Sequence, residues 1–283
     1  MSRLDVTKTY KLYIGGKFPR TESGRSVAIK GTGDAAVAHT CRASRKDLRN
    51  AVEAATKAQP GWAGANAYLR GQILYRMAEM LEGKRAELAA SIAAVGNGSE
   101  ADTLAEVDSA TDRLVVFAGW ADKFQQIIGC HNPVTGPYYN FSVPEPTGVV
   151  GVVAPDARPL AGLIDLVAPA ICSGNAVVAL ASESNPIPAC VFAEALATSD
   201  LPGGVVNILT GFREELLSHF ATHREINGLS AAGLNGDERA VVESGVAENL
   251  KRVRIVSAED APSDPWSIEP FVEVKTIWHP SSA

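Results

Sequence analysis

The amino-acid sequence predicts an α/β fold built on a parallel β-sheet, and three observations lead there. Between residues 148 and 257, segments of strand character alternate with segments of helix character. The first strand-like run, GVVGVVAP over 148–155, is apolar without a break, as expected of a strand buried on both faces. The helical segments between the strands are long enough for the right-handed crossovers that parallel neighbours need.

The elements follow in order. KLYIGGKFPR, residues 11–20, reads as a small hairpin whose Gly15–Gly16 turn needs positive φ. Ser44 and Asp47 have capping-box spacing ahead of a helix with Leu48, Val52 and Ala55 on one stripe. Two long helical patterns cover 67–95, with Ile73, Leu74, Met77, Leu81 and Leu88 inward, and 99–128, with Leu104, Val107, Leu114, Phe117 and Trp120. GPYYNFSVPEP, 136–146, alternates and reads as an edge strand closed by Pro144 and Pro146. After the apolar strand come a helix over 158–174, a strand over 175–182 and a helix over 186–200. A strand over 204–211, a helix over 212–223 and a short strand over 226–233 follow. A helix over 236–250 and a strand over 251–257 close the block. AEDAPSDPWSIEP, 258–270, is a polar, Pro-containing linker. FVEVKTIWHP, 271–280, alternates again, with Val272, Val274, Thr276 and Trp278 on one face.

Composition narrows the function classes. The net charge is −6, and no basic stripe of the kind nucleic acid requires is present. The N-terminal stretch lacks the apolar run of a secretory signal, and apolar stretches break before they could span a bilayer, so a cytoplasmic protein is expected. Cys41, Cys130, Cys172 and Cys190 show neither CxxC pairing nor metal-ligand spacing with histidine. They read as reduced thiols, and no metal site is expected.

LYIGGKF, PGWAG, LAEVDSATDRLVVFAGWADKFQ, PEPTGVVGVVAP, SGNAVVALASES, DLPGGVVNILTG and FVEVKTIWHP, in that order, resemble phrases of the aldehyde dehydrogenase superfamily over nearly the whole chain. The resemblance implies a Rossmann-like doubly wound parallel sheet with N-terminal helices and a small oligomerisation β-sheet. It divides the chain into a cofactor-domain-like part over 1–257, which includes an oligomerisation hairpin at 132–147, a linker at 258–270 that stands in place of the catalytic domain, and a terminal oligomerisation strand at 271–283.

What the family's chemistry needs is then sought residue by residue. The nucleophilic cysteine belongs to the missing domain, and none of the four cysteines has a matching context, so no catalytic residue is expected. The family's oxyanion-binding asparagine, in Pro-Trp-Asn-Phe-Pro, aligns with Ala157 of PDARP. The lysine and glutamate that hold the adenine ribose align with Leu180 and Glu183. Gly211 survives from the Gly-rich phrase, but Arg213 and Leu217 replace its later glycines. Phe-Thr-Gly-Ser becomes Ala231, Ala232, Gly233 and Leu234, which removes a hydroxyl from the pyrophosphate site. Glu183, Gly211 and Gly233 are thus vestigial cofactor contacts, and no tight cofactor is expected; NAD or NADP is the cofactor if any binds.

The expected function is that of a non-catalytic subunit assembling with a full-length NAD(P)-dependent aldehyde dehydrogenase. Expected interface residues are Tyr138, Phe141, Val272, Val274, Ile277 and Trp278 on the small sheet, with Val241, Val242 and Val246 on the 236–250 helix. A residual nucleotide-binding module, or an oxidoreductase with relocated residues, remain as alternatives.

Overall fold

The chain begins with elements that its pattern scarcely announces. In the computed structural model, which describes residues 6–96, 98–260 and 263–281, strands β1 (Lys8–Thr9), β2 (Ser26–Lys30) and β3 (Ala36–Cys41) form a small sheet in the order β1-β3-β2. The hairpin turn falls where expected: Gly15 and Gly16 take φ of +61° and +77°, and Ile14 bridges Lys17. Tyr13 also exchanges backbone hydrogen bonds with Ile208, so the hairpin is tied to the main sheet.

Helix α1 (Arg45–Ala63) starts at the Ser44–Asp47 capping box and buries Leu48, Val52 and Ala55. The two long helical patterns each break. The first becomes α2 (Ala67–Glu82) and α3 (Arg85–Ala93), because Lys84 leaves helical geometry at φ −106°. There its ammonium reaches Glu87 at 2.8 Å and Glu194 at 3.2 Å. The second becomes α4 (Glu100–Trp120) and α5 (Phe124–Ile128), with the Lys123 ammonium donating to the Gly119 carbonyl at 2.8 Å.

The main sheet consists of β6 (Val149–Val153), β7 (Ala176–Leu180), β8 (Val206–Leu209), β9 (Gly228–Ala232) and β10 (Arg252–Val256), all parallel, in the order β10-β9-β6-β7-β8. Chain order reverses beside β6, which makes the sheet doubly wound and Rossmann-like. The crossovers are α6 (Ala161–Cys172), α7 (Ile187–Leu196), α8 (Arg213–Thr222) and α9 (Gly236–Ala247). One face is covered by α6 and α7 with α2, α3 and α4 packed outside them; α1, α8 and α9 cover the other. Burial on both faces is why β6, β7 and β9 read as unbroken apolar or small-residue runs, while β8 carries one buried polar residue, Asn207, whose amide donates to the Val177 and Gly204 carbonyls.

A second three-stranded sheet, order β11-β5-β4, joins β4 (Cys130–Asn132), β5 (Tyr138–Pro146) and β11 (Val272–Pro280) in antiparallel pairing. The register runs from Val272 opposite Pro146 to Pro280 opposite Tyr138. β5 is therefore the middle strand, not an edge. Its prolines are tolerated because β4 pairs only with residues 140–142, which leaves Pro144 and Pro146 a neighbour on one side alone.

The stretch read as a polar linker is partly structured. Two short 3-10 turns span Pro265–Ser267 and Glu269–Phe271, and the Asp264 carboxylate caps the first through the Ser267 N–H at 3.1 Å. Ile268, Phe271 and Val272 are buried in the main core. The Asn175 amide donates to the Phe271 carbonyl at 2.8 Å, and the Trp120 indole N–H to the Ser263 carbonyl at 3.3 Å. Each of those three buried side chains contributes roughly 1.5–3 kcal/mol, so the core does not end at residue 257.

Candidate functional site

In an open α/β sheet the ligand crevice lies beyond the carboxyl ends of the strands, at the point of reversal. Here that region is bounded by the turns after β6, β7, β8 and β9 and by the first turns of the helices that follow. A helix N-terminus offers unpaired N–H groups and a partial positive charge, which is what a phosphate uses. In this chain three of those ends, at α6, α8 and α9, are engaged by the protein's own carboxylates. Glu106, on α4, accepts from Leu160 and Ala161 N–H at the start of α6, at 2.9 and 3.1 Å. Glu183 accepts from the Arg213 N–H at the start of α8, at 2.7 Å. Glu238 accepts from the Asn235 N–H at the start of α9, at 2.9 Å, and the Asn235 side chain accepts from Glu238 N–H in return.

The Arg213 side chain lies across the same place and is only 7% exposed. Its guanidinium donates to the Ala154 carbonyl at 2.7 Å, pairs with Asp156 at 3.2 Å and faces Glu238 at 3.6 Å. Asp156 in turn accepts from the Ser182 hydroxyl at 2.8 Å and from the N–H groups of Glu183 and Ser184 at 2.8 and 3.1 Å. Burial is the largest single influence on Asp156 and pushes its pKa up, but the Ser184 N–H, Arg213, Ser182 and the Glu183 N–H together hold it below the ordinary carboxylate value. Asp156, Glu106, Glu183 and Glu238 place four carboxylates around the crevice that holds the Arg213 guanidinium, and negative charge gathered there disfavours a pyrophosphate.

The sequence-predicted cofactor residues make contacts within the protein. Glu183 accepts from the Arg213 N–H and caps α8. Gly211 (φ +154°) and Gly233 (φ +65°) are explained by local packing. A Cβ on Gly211 would lie 3.2 Å from the Ala43 nitrogen, and one on Gly233 would lie 3.3 Å from the Ala258 Cβ. Leu217 does not project into the crevice as expected: α8 turns it, with Leu216 and Phe220, into the core. Leu180 is likewise fully buried, and Leu234 packs against the same core. Asp156, Glu106 and Glu238 escape the sequence reading. The Asn235–Glu238 spacing was a legible capping signal, whereas Glu106 gave none because its partners lie far away in sequence.

None of the cysteines is poised as a nucleophile there. Burial pushes the Cys172 thiol up to about 12 and the Cys190 thiol up as well. Cys41 is buried, and only Cys130, on β4, is exposed. Among the described residues no three His, Cys, Asp or Glu side chains are grouped to hold a metal ion, and no helix is long and apolar enough to cross a membrane.

The small sheet is the second candidate site. Tyr138, Val274, Ile277 and Trp278 are exposed, and Tyr138 meets Trp278 edge-on with ring centroids 5.8 Å apart. Phe141 is half-buried beside Tyr139. Three expected interface residues are turned inward instead: Val272 lies in the main core, and Val242 and Val246 pack under α9 against the α8 side of the sheet. Of the three expected interface residues on α9, Val241 alone is exposed.

Comparison with known proteins is consistent along most of the chain. The model of the aldehyde dehydrogenase family matches residues 20–260. Retinal dehydrogenase 2 of Mus musculus is 32% identical over 264 residues, covering 90% of this chain and 50% of that protein. Cytosolic aldehyde dehydrogenase 1 of Elephantulus edwardii is 29% identical over 251 residues, covering 87% and 49%. Among solved structures, an NAD+ complex of aldehyde dehydrogenase from Bacillus cereus superposes with a TM-score of 0.83 at 26% identity, covering 88% of this chain and 51% of that one. HpcC from Thermus thermophilus superposes with a TM-score of 0.83 at 27% identity, covering 87% and 48%. The chain spans about half the length of the curated relatives it matches.

Proposed function

The chain belongs to the aldehyde dehydrogenase family, and from that premise we propose that it acts as a non-catalytic subunit, assembling with a full-length NAD(P)-dependent relative and supporting or regulating it. The observation that carries this reading is that the protein's own side chains engage the helix starts around the crevice. The starts of α6, α8 and α9 are satisfied by Glu106, Glu183 and Glu238, and Arg213 spans the space between Asp156 and Glu238. The residues present do not fit a dinucleotide: donors that would meet its phosphates are already used, and the nearby charge has the wrong sign. Cys172 and Cys190 are buried and pushed toward the protonated form, Cys41 is buried too, and the exposed Cys130 lies on β4 of the small sheet rather than at the crevice.

Assembly is supported by the exposed apolar strip of the small sheet. Buried aromatics dominate interface energetics, and Trp278, paired edge-on with Tyr138, is the anchor that a partner would cover. The outer edge of β11 offers unpaired backbone groups for strand addition.

Isothermal titration of the isolated chain with NAD and with NADP tests the first half. Dissociation constants in the millimolar range or weaker are expected, about −4 kcal/mol or less favourable; a micromolar value overturns the reading in favour of a nucleotide-binding module. Aldehyde-dependent NADH production by the chain alone should be absent. Co-expression with a full-length relative tests the second half. A mixed oligomer should elute on size exclusion and weaken with Trp278→Ala, and separate elution of the two chains would refute the proposed partnership.

A further inference from the structure

At the end of α8 away from the crevice, its last turn packs beside the first turn of α1 and leaves a cleft of about 500 Å³. The cleft is lined by Arg45, Lys46, Arg49, His219 and His223, with Glu22 as the lining carboxylate. Its charges are unevenly matched. Lys46 pairs with Glu22 at 3.4 Å, and Arg49 pairs with Glu53 at 3.5 Å. Arg45 enters no ion pair among the described residues. The Ser44 hydroxyl is already spent on the Lys46 and Asp47 N–H groups, at 3.2 and 3.3 Å, so an incoming ligand would meet side chains rather than an open helix end.

The two imidazoles report on that imbalance. His219 stands in the last turn of α8 and His223 is its C-cap, where the helix end favours a protonated ring. Both are nevertheless held below the ordinary histidine value. For His219 the causes are burial and then Arg45. For His223 they are burial, Lys251 and Arg45, opposed by Glu225 and Glu53. The remaining charged neighbours are Lys46, Arg49 and Glu22 from the cleft wall and Glu215 one turn earlier on α8, itself engaged by Arg42. The cleft thus brings together a guanidinium without an ion-pair partner and two imidazoles, while its lining carboxylate, Glu22, pairs with Lys46.

We infer that this cleft binds a small phosphate-bearing molecule, with Arg45 as its fixed charge and His219 and His223 as donors. Guanidinium is the side chain best matched to phosphate oxygens, and the cleft volume suits a phosphorylated metabolite rather than a bare ion. Because the imidazoles donate fully only when protonated, binding should tighten as pH falls from 7.5 to about 6.

The test is a histidine-ring NMR titration of the full chain, with inorganic phosphate as the probe and sodium chloride at matched ionic strength as the control. Phosphate should raise the pKa of His219 and His223 by roughly half a unit or more and leave His39, His131 and His279 unmoved. Arg45→Ala, at an exposed position, should keep the circular dichroism spectrum and abolish the phosphate response. An equal shift from chloride, a response that persists in Arg45→Ala, or no shift at tens of millimolar phosphate would each overturn the inference.

Discussion

Arg213 puts a guanidinium into a nearly closed space, and a buried charge is tolerable only if its surroundings answer it. Asp156 and Glu238 provide that answer. Arg213→Ala should therefore lower the unfolding free energy in urea by about 2–3 kcal/mol, part of it from leaving those carboxylates facing each other. A loss below a few tenths of a kcal/mol would mean that the triad is held by solvent rather than by the ion pairs. Cysteine reactivity provides a second check at this scale. A thiol reagent should modify Cys130 alone in the folded protein, with Cys41, Cys172 and Cys190 reacting only on unfolding; rapid labelling of Cys172 would contradict its burial. The sequence made Arg213 visible but not its compensation. Residues 156, 213 and 238 are brought together only by crossover topology, so no local spacing reveals them.

The elements with strong periodicity were legible: α1 with its capping box and the alternating strands and helices from β6 to β10 follow the sequence closely. Weakly patterned ones were not. β2 buries only Ile29 and β3 mixes buried and exposed positions without strict alternation, and the breaks at Lys84 and Lys123 depend on where an ammonium finds partners rather than on apolar spacing. Lys251 shows such a contact between elements, since its ammonium donates to the His223 carbonyl at the end of α8 at 2.6 Å while leading into β10. Burial pushes its pKa down to about 8 from 10.5, with Glu248 pulling the other way. A folded-state pKa below the unfolded one means that stability from this group is fully present above 10.5 and is lost as pH falls through about 8. The wild-type chain should therefore gain stability relative to Lys251→Met as pH rises from 8 to 10, measured by urea unfolding at each pH. A difference that stays flat across that range would show an ordinary, unburied lysine.

For the whole molecule, the boundary between core and small sheet lies inside the segment 263–272 rather than before it. Removing residues 274–283 should leave the far-UV circular dichroism and the melting transition nearly unchanged, because β11 beyond Val272 is exposed. Removing 268–283 should cost several kcal/mol, since Ile268, Phe271 and Val272 then leave the core; equal melting of the two truncations would place the boundary elsewhere. The position of β5 also has a kinetic consequence. Its long-range partner arrives late: the Ser142 and Thr276 hydroxyls meet at 3.1 Å across a separation of 134 residues. Closing so large a loop is slow compared with forming neighbouring crossovers. During synthesis β5 emerges well before β11 and waits without its mate while the parallel sheet assembles. The small sheet should then close in a separate late phase of refolding, visible as a slow change in Trp278 fluorescence after the helical signal has recovered. Throughout that interval β5 presents a vacant edge, which is when another chain could most readily capture it.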